Sequence, residues 1–427
     1  MALWRRQMVG RAALVCALCL TVPALAASDH STGDGSKTDN ERLLPGVYPG
    51  DAVLVDGSAG AEPYDPFLDV DWSVGLRGTY TKGSDGERFD TYLVPSVSLD
   101  HIGTRSAIQF DGSAEVVRPD EGNAVDISAL RLGLDGAYQL DSQTRLNATG
   151  NFSITQAVPG TPGLGSDVVE ASQTISGGGT VGVTREFGKF NVSLTGGAQR
   201  TTYGPTTFAD GLVRDNSVDD YWALDSGLRV GFQATPIFEV FGQAGAGRDM
   251  FDNDSPSLGV SLDANDYTIK AGATGRWNEV LEVTGSAGLG LRKFDVADLG
   301  EVVTQLYDAQ VVYTPDPTWR MVAGFATTVT PPGPTGSGNL RVDYSANAEL
   351  GYTVNSWLAL RALADWNTAR FEGSDAEETG YGLGVGADYT VNSHTAVSAD
   401  YGYDYSDSTS YGVQDAHRVT MGVTVSR

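Results

Sequence analysis

The chain is short of sulfur, of positive charge and of long apolar runs. Among its 427 residues are two cysteines, five methionines and four histidines. Cys16 and Cys19 both fall within the first 26 residues. The remainder has no thiol, so disulfides cannot brace it. Lysine and arginine total 28 against 54 acids, a formal charge of −26. That balance excludes nucleic acid as a partner, because binding it needs a basic footprint. It suits a water-exposed surface, or one that collects divalent cations. After the first 26 residues no apolar run approaches the ~18 residues that a spanning helix needs. If this chain crosses a membrane, it crosses with strands.

What is present begins with an export signal. Arg5, Arg6 and Arg11 precede the apolar run Ala12 to Val22, and Ala24-Leu25-Ala26 supplies small residues at a cleavage position. The pattern is that of a secretory signal peptide over 1–26. Its removal takes three arginines and no acid, moving the formal charge to −29. Residues 27–66 are polar, punctuated by Gly and Pro, and aperiodic, which predicts a flexible periplasmic segment. The chain also holds 54 glycines, 18 tyrosines and 7 tryptophans. Glycine weakens helices, while aromatic residues favour strands and membrane interfaces.

From about residue 67 to the end one unit recurs: an alternating strand, a tight break, another strand, a longer polar loop. Tight breaks fall at "DHIGT" (100–104), "DSQT" (141–144), "GK" (188–189), "TP" (235–236), "NE" (278–279), "PDPT" (315–318), "NS" (355–356) and "NSH" (392–394). Between them lie acidic loops such as "GSDGERFD", "PGTPGLGSDVVEAS", "TTFADGLVRDNSVDD" and "SDSTSYGVQD". Short and long connections therefore alternate, as in a meander with all short turns at one end. Transmembrane barrels show this asymmetry. The expected strands carry about 10 to 14 residues, whereas soluble strands have a mode near 5–6 and tilted membrane strands need roughly 9–11.

One parity of each strand is apolar. Between Arg341 and Trp366 it is Val342, Tyr344, Ala346, Ala348, Leu350, Tyr352 and Val354, then Leu358, Leu360, Ala362, Ala364 and Trp366. Sandwiches alternate too. Aromatic placement separates the cases. Tyr138, Phe232, Trp277, Tyr313, Trp319, Tyr352, Trp357 and Tyr389 adjoin tight turns, while Tyr80, Phe152, Tyr203, Trp222, Tyr267, Trp366, Tyr381 and Tyr403 lie toward the loops. Two aromatic bands match two headgroup interfaces. In lipid every backbone group must be paired internally, so the sheet must close. The expected fold is all-β: a closed antiparallel up-and-down transmembrane β-barrel over 67–427, with about 18 strands and 16 as the nearest alternative.

The leader, the hairpin repeat and the terminal strand "HRVTMGVTVSR" resemble the outer-membrane β-barrel proteins of Gram-negative bacteria, in particular the group called putative β-barrel porin 2. The resemblance covers about 66–427. It implies location in the cell outer membrane, delivery by the outer-membrane assembly machinery, and a pore. The last strand keeps its alternation through Val419, Met421, Val423 and Val425 but closes on Arg427, where that family usually has an aromatic residue.

No catalytic, cofactor or metal motif is found. His30, His101, His394 and His417 lack the i, i+4 pairing of a zinc site, and no G-x-S-x-G elbow occurs. No enzyme activity and no cofactor are expected. The polar parity supplies the candidate pore lining: Arg131, Arg145, Arg229, Arg276, Arg292 and Arg361 facing Asp135, Asp225, Glu282, Glu349 and Asp388. Opposed charges across an aqueous constriction orient solutes and set ion selectivity, and the acid excess predicts mild cation preference. No loop exceeds about 16 residues, so no in-loop plug is expected. Two acidic clusters, Asp215/Asp219/Asp220 and Asp249/Asp252/Asp254, are read as outer loops able to bridge lipopolysaccharide phosphates through Ca²⁺ or Mg²⁺. The leading function is a passive porin-like channel for small hydrophilic solutes, with a homo-oligomer possible. A non-conducting envelope anchor or polysaccharide-associated barrel is the alternative. A secreted soluble all-β binding protein is the third reading.

Overall fold

The structure, a computed structural model, describes residues 68–84, 86–119, 125–256 and 258–427. The signal peptide and the 27–66 segment lie outside the described residues. Strands β1 (Asp69–Gly83), β2 (Gly86–Ile102), β3 (Ser106–Arg118), β4 (Asp126–Gln139) and β5 (Thr144–Gln156) are followed by the short β6 (Val168–Glu170). Then come β7 (Gln173–Phe187), β8 (Phe190–Tyr203) and the short β9 (Thr206–Phe208) and β10 (Val213–Arg214). The rest are β11 (Tyr221–Thr235), β12 (Phe238–Phe251), β13 (Ala264–Trp277), β14 (Leu281–Phe294), β15 (Glu301–Asp316), β16 (Trp319–Thr330), β17 (Leu340–Thr353), β18 (Leu358–Glu372), β19 (Glu377–Asn392), β20 (Thr395–Ser408) and β21 (Gly412–Ser426).

Eighteen of these form one antiparallel sheet in which each long strand pairs with its neighbours in sequence. The sheet closes because β1 also pairs β21, from Ser73↔Ser426 to Gly83↔Ala416. Hydrogen bonds extend this seam past both strand ends: Ser84 N–H donates to Asp415 O (3.0 Å) and Arg427 N–H to Trp72 O (3.0 Å). Closure leaves no sheet edge at that join, as lipid requires.

The tight breaks stand where the alternation stops. Several are fixed by a side-chain oxygen that accepts backbone N–H groups two and three residues on. Asp141 accepts from Gln143 and Thr144, both at 2.8 Å. Asn355 accepts from Trp357 and Leu358, both at 3.0 Å. At the "NE" break Asn278 (φ 47°) and Glu279 (φ 59°) both adopt the left-handed region, the backbone that lets a two-residue turn follow the twist of its strands.

The opposite end differs from expectation in two ways. "GSDGERFD" is not a long loop: only residues 84–85 separate β1 from β2. "SDSTSYGVQD" likewise is mostly strand, broken only at 409–411. The ladders run on because paired polar residues are as comfortable in water as in the wall, and β2 reaches 17 residues. The two longest loops, 157–172 and 204–220, also contain ordered structure. Their strands β6, β9 and β10 make a small three-stranded sheet.

Outward positions are apolar as the parity predicts. Trp72, Val74 and Leu76 of β1, and Leu383, Val385 and Tyr389 of β19, are exposed on the outer face. Ring contacts mark both bands: Trp319–Tyr352 (4.4 Å) and Trp357–Tyr389 (5.3 Å) near the turns, Tyr381–Tyr405 (4.8 Å) toward the loops. Tyr203 departs from this pattern. It pairs with Thr174 on the inner parity of β8.

The largest departure is at the loop end of β16 and β17. β14 and β15 pair up to Lys293↔Glu301. β15 and β16 pair only from Asp316↔Trp319 to Asp308↔Ala326. β16 and β17 nevertheless stay paired up to Thr330↔Arg341. Leu340 and Val342 share the parity of the lipid-facing Leu350, yet they are 0% and 4% exposed. They form one apolar cluster with Leu262, Ala264 and Phe294. Ala264 and Phe294 belong to the inner parity of β13 and β14. The top of the β16–β17 hairpin has therefore parted from β15 and turned in against the inner face of β13 and β14, while β17 stays paired with β18 up to Leu340↔Glu372.

Candidate functional site

The inner face of the wall carries most of the charged candidates, and the structure ties many of them together within the wall. Near the turns, Arg229 donates to Glu239 (2.8 Å) and to Asn191 Oδ1 (3.2 Å) and stacks over the Phe241 ring at 4.2 Å. Arg276 bridges Glu239 (3.6 Å) and Glu282 (3.5 Å). Arg361 is held by Asp388 and Asp400. Arg292 is 3% exposed and sits between Asp249 and Asp266, the latter at 3.1 Å. Its charge is spent on two acids beneath the inward-folded hairpin.

Arg131, Arg145, Asp135, Asp225 and Glu349 also take inner-parity positions, on β4, β5, β11 and β17. Among the described residues no ion pair joins any of them to another side chain.

Sequence reasoning picked out only some of the paired charges. Arg77–Glu115, Lys270–Asp308 (2.6 Å), Arg418–Asp404 and Arg341 with Asp343 and Glu378 (3.2 Å) are also inner-parity sets. Their polar parity was visible in the sequence. Their partners mostly stand two strands away, so no local spacing marks them. Asp249, read as an outer-loop acid, is an inner-wall residue of β12. It lies there because the ladder with β13 runs to Asp249↔Ala264.

The loop-side mouth is not empty. Loop 157–172 leaves β5 and reaches β21, five strands round the ring. There the Gln414 side chain accepts from Gly163 N–H (2.7 Å) and donates to Leu164 O (2.9 Å). Arg88 of β2 donates to Pro159 O. From the other side, loop 331–339 reaches β8, where a Cβ on Gly333 would lie 3.8 Å from the Tyr203 hydroxyl. A loop of sixteen residues thus reaches over the mouth and is held there by side chains of β2 and β21.

Loop acids are partly engaged. Asp215 is held below the usual carboxylate range by the Ser217 N–H. Asp252 is held low by the Arg200 guanidinium, while burial pushes Asp219 up. Among the described residues no cluster of three His, Cys, Asp or Glu side chains is placed to hold a metal ion. His394 has a structural contact: its Nδ1 lies 3.1 Å from Ser426 O at the foot of the closing strand.

A closed eighteen-stranded antiparallel barrel with an apolar outer face, two aromatic bands and a charged interior is an outer-membrane porin-like barrel. The family model described as putative beta-barrel porin 2 matches residues 79–427, and the chain belongs to that family. No curated protein sequence matches it significantly. Among solved structures it is similar to Pseudomonas aeruginosa OpdK with vanillate at 12% identity, covering 84% of this chain and 99% of that one, with a TM-score of 0.44. It is similar to OccK9 (OpdG) of the same organism at 14% identity, 84% and 99% coverage and a TM-score of 0.42. It is also similar to Acinetobacter baumannii OccAB4 at 11% identity, 84% and 98% coverage and a TM-score of 0.40. The protein is an outer-membrane barrel, located in the cell outer membrane.

Proposed function

We propose that this barrel is a passive channel for small hydrophilic solutes with a mild preference for cations. The observation that carries the reading is the inner wall itself. Eighteen strands enclose a lumen wide enough for water, and the candidate wall charges without an ion pair among the described residues are Asp135, Asp225 and Glu349 against Arg131 and Arg145, a small acid excess. The purified protein in planar bilayers is expected to conduct, with a reversal potential in a KCl gradient showing K⁺ favoured over Cl⁻. Anion preference would overturn the selectivity. Absent conductance would overturn the channel.

A non-conducting barrel is the second reading, favoured by the crossing of loop 157–172. Gln414→Ala removes two of the three hydrogen bonds described above that seat this loop. A silent native protein that conducts as Gln414→Ala would support a plugged barrel.

The partners follow from the location. Phosphate groups of outer-leaflet lipopolysaccharide, bridged by Ca²⁺ or Mg²⁺ to loop acids such as Asp215 and Asp254, are the proposed lipid contact. Thermal stabilisation by Ca²⁺ that is lost in Asp→Asn variants tests it. Assembly by the outer-membrane machinery through β21, and association into homo-oligomers through the apolar outer wall, belong to the same reading.

A further inference from the structure

The upper halves of β16 and β17 have two places to go. In the structure they have parted from β15 and turn in against β13 and β14, with Leu340 and Val342 in the cluster of Leu262, Ala264 and Phe294, while β17 keeps its full ladder with β18. The wall position they leave is still prepared for them. β15 stands to its full height against β14, up to Lys293↔Glu301. The odd-numbered residues of β15 above Asp308 turn their backbone groups toward the vacated side: Tyr307 N–H donates there to the Thr327 hydroxyl (3.2 Å).

Continuing the observed register Asp308↔Ala326 would pair Tyr307 with Thr327, Leu306 with Thr328 and Gln305 with Val329. The side-chain pattern agrees with this second seat. Val329, Val342 and Tyr344 share the parity of the lipid-facing Phe325 and Leu350, so in the wall they would face outward with the other apolar residues. A sheet edge left bare is costly near a membrane. An apolar cluster buried inside the mouth compensates in the observed seat. Each arrangement satisfies one of these demands and gives up the other, which is the signature of a two-state element.

We propose that the loop-side half of the β16–β17 hairpin, moving with the top of β18 to which it stays paired, is a gate whose seam with β15 parts above Asp308↔Ala326. Folded in, it covers the mouth and carries loop 331–339 across to Tyr203. Folded out, it completes the wall against β15 and uncovers the lumen. The conductance part of its test rests on the channel reading; the trapping part does not.

The experiment uses the full chain carrying Cys16→Ser and Cys19→Ser, refolded in detergent and placed in liposomes. Gln305→Cys with Val329→Cys are the residues that would meet in the wall. Val311→Cys with Ala323→Cys are already paired there and have the same parity, so they control for geometry and folding. Under mild oxidation the control pair is expected to close at once, and the 305–329 pair to close slowly and completely. Closure is expected to raise single-channel conductance, and reduction to restore the starting value.

A 305–329 pair that stays open while the control closes overturns the hinge. Closure with unchanged conductance in a conducting barrel overturns the gate. Should no variant conduct, the channel reading fails, and the trapping yield alone still judges the hinge.

Discussion

Charge in this barrel is valued by its surroundings. Arg292 is buried with two acids, so removing it strands Asp249 and Asp266 without a counter-charge. Arg292→Ala should lower the unfolding free energy by roughly 3–5 kcal/mol, measured by urea unfolding in lipid vesicles. Glu349→Gln, on open wall with no described ion pair, should change it by less than about 0.5 kcal/mol. Asp141 gives a pH dependence. Its carboxylate accepts backbone N–H groups, chiefly that of Gln143, and is held below its ordinary value of 3.8. Its contribution is present above that value and is lost as pH falls through the lower folded value. The melting temperature should therefore be flat from pH 7 to pH 5 on this account and drop only below about pH 4. Asp141→Asn keeps an acceptor that does not titrate, so its drop should be smaller.

At the scale of turns and strands, the sequence was legible wherever the rule is local. Breaks at Asp141, Asn278 and Asn355 are visible because Asx side chains and left-handed residues do specific work there. The second of these supports a prediction through its neighbour. Glu279 holds φ 59° with a Cβ, so Glu279→Gly should stabilise the barrel by about 1 kcal/mol, read as a shift in the urea midpoint. What could not be read is the partner of each apolar face. Period two tells Val342 from Asp343, but not whether Val342 meets an acyl chain or Phe294. The same limit hid the small sheet of β6, β9 and β10, whose loops find each other only after the wall has brought β5, β7 and β8 together. The inner pairs were half legible. Arg229 and Arg361 were marked by parity, while Glu239 and Asp400 needed the strand order to become their neighbours.

For the molecule as a whole, the join between the first and last strands sets the terms of assembly. Every other long strand is delivered to its partner by a turn or a loop. β1 and β21 have no such tether, and Thr79 finds Thr420 (2.9 Å between hydroxyls) only across 341 positions of chain. Contacts that span so much sequence form late. The register of that join is also set by many interchangeable small and apolar residues, so a free copy of the last strand competes well for it. A synthetic peptide with the sequence Gly412–Ser426, added in excess during refolding into detergent, should cap the waiting first strand. Compact, heat-modifiable barrel on gels would then fall in proportion to peptide, whereas the same peptide added after refolding should do nothing. The molecule is thus committed by the fifteen residues of β21: until they dock, the other seventeen strands are an open sheet with two adhesive rims.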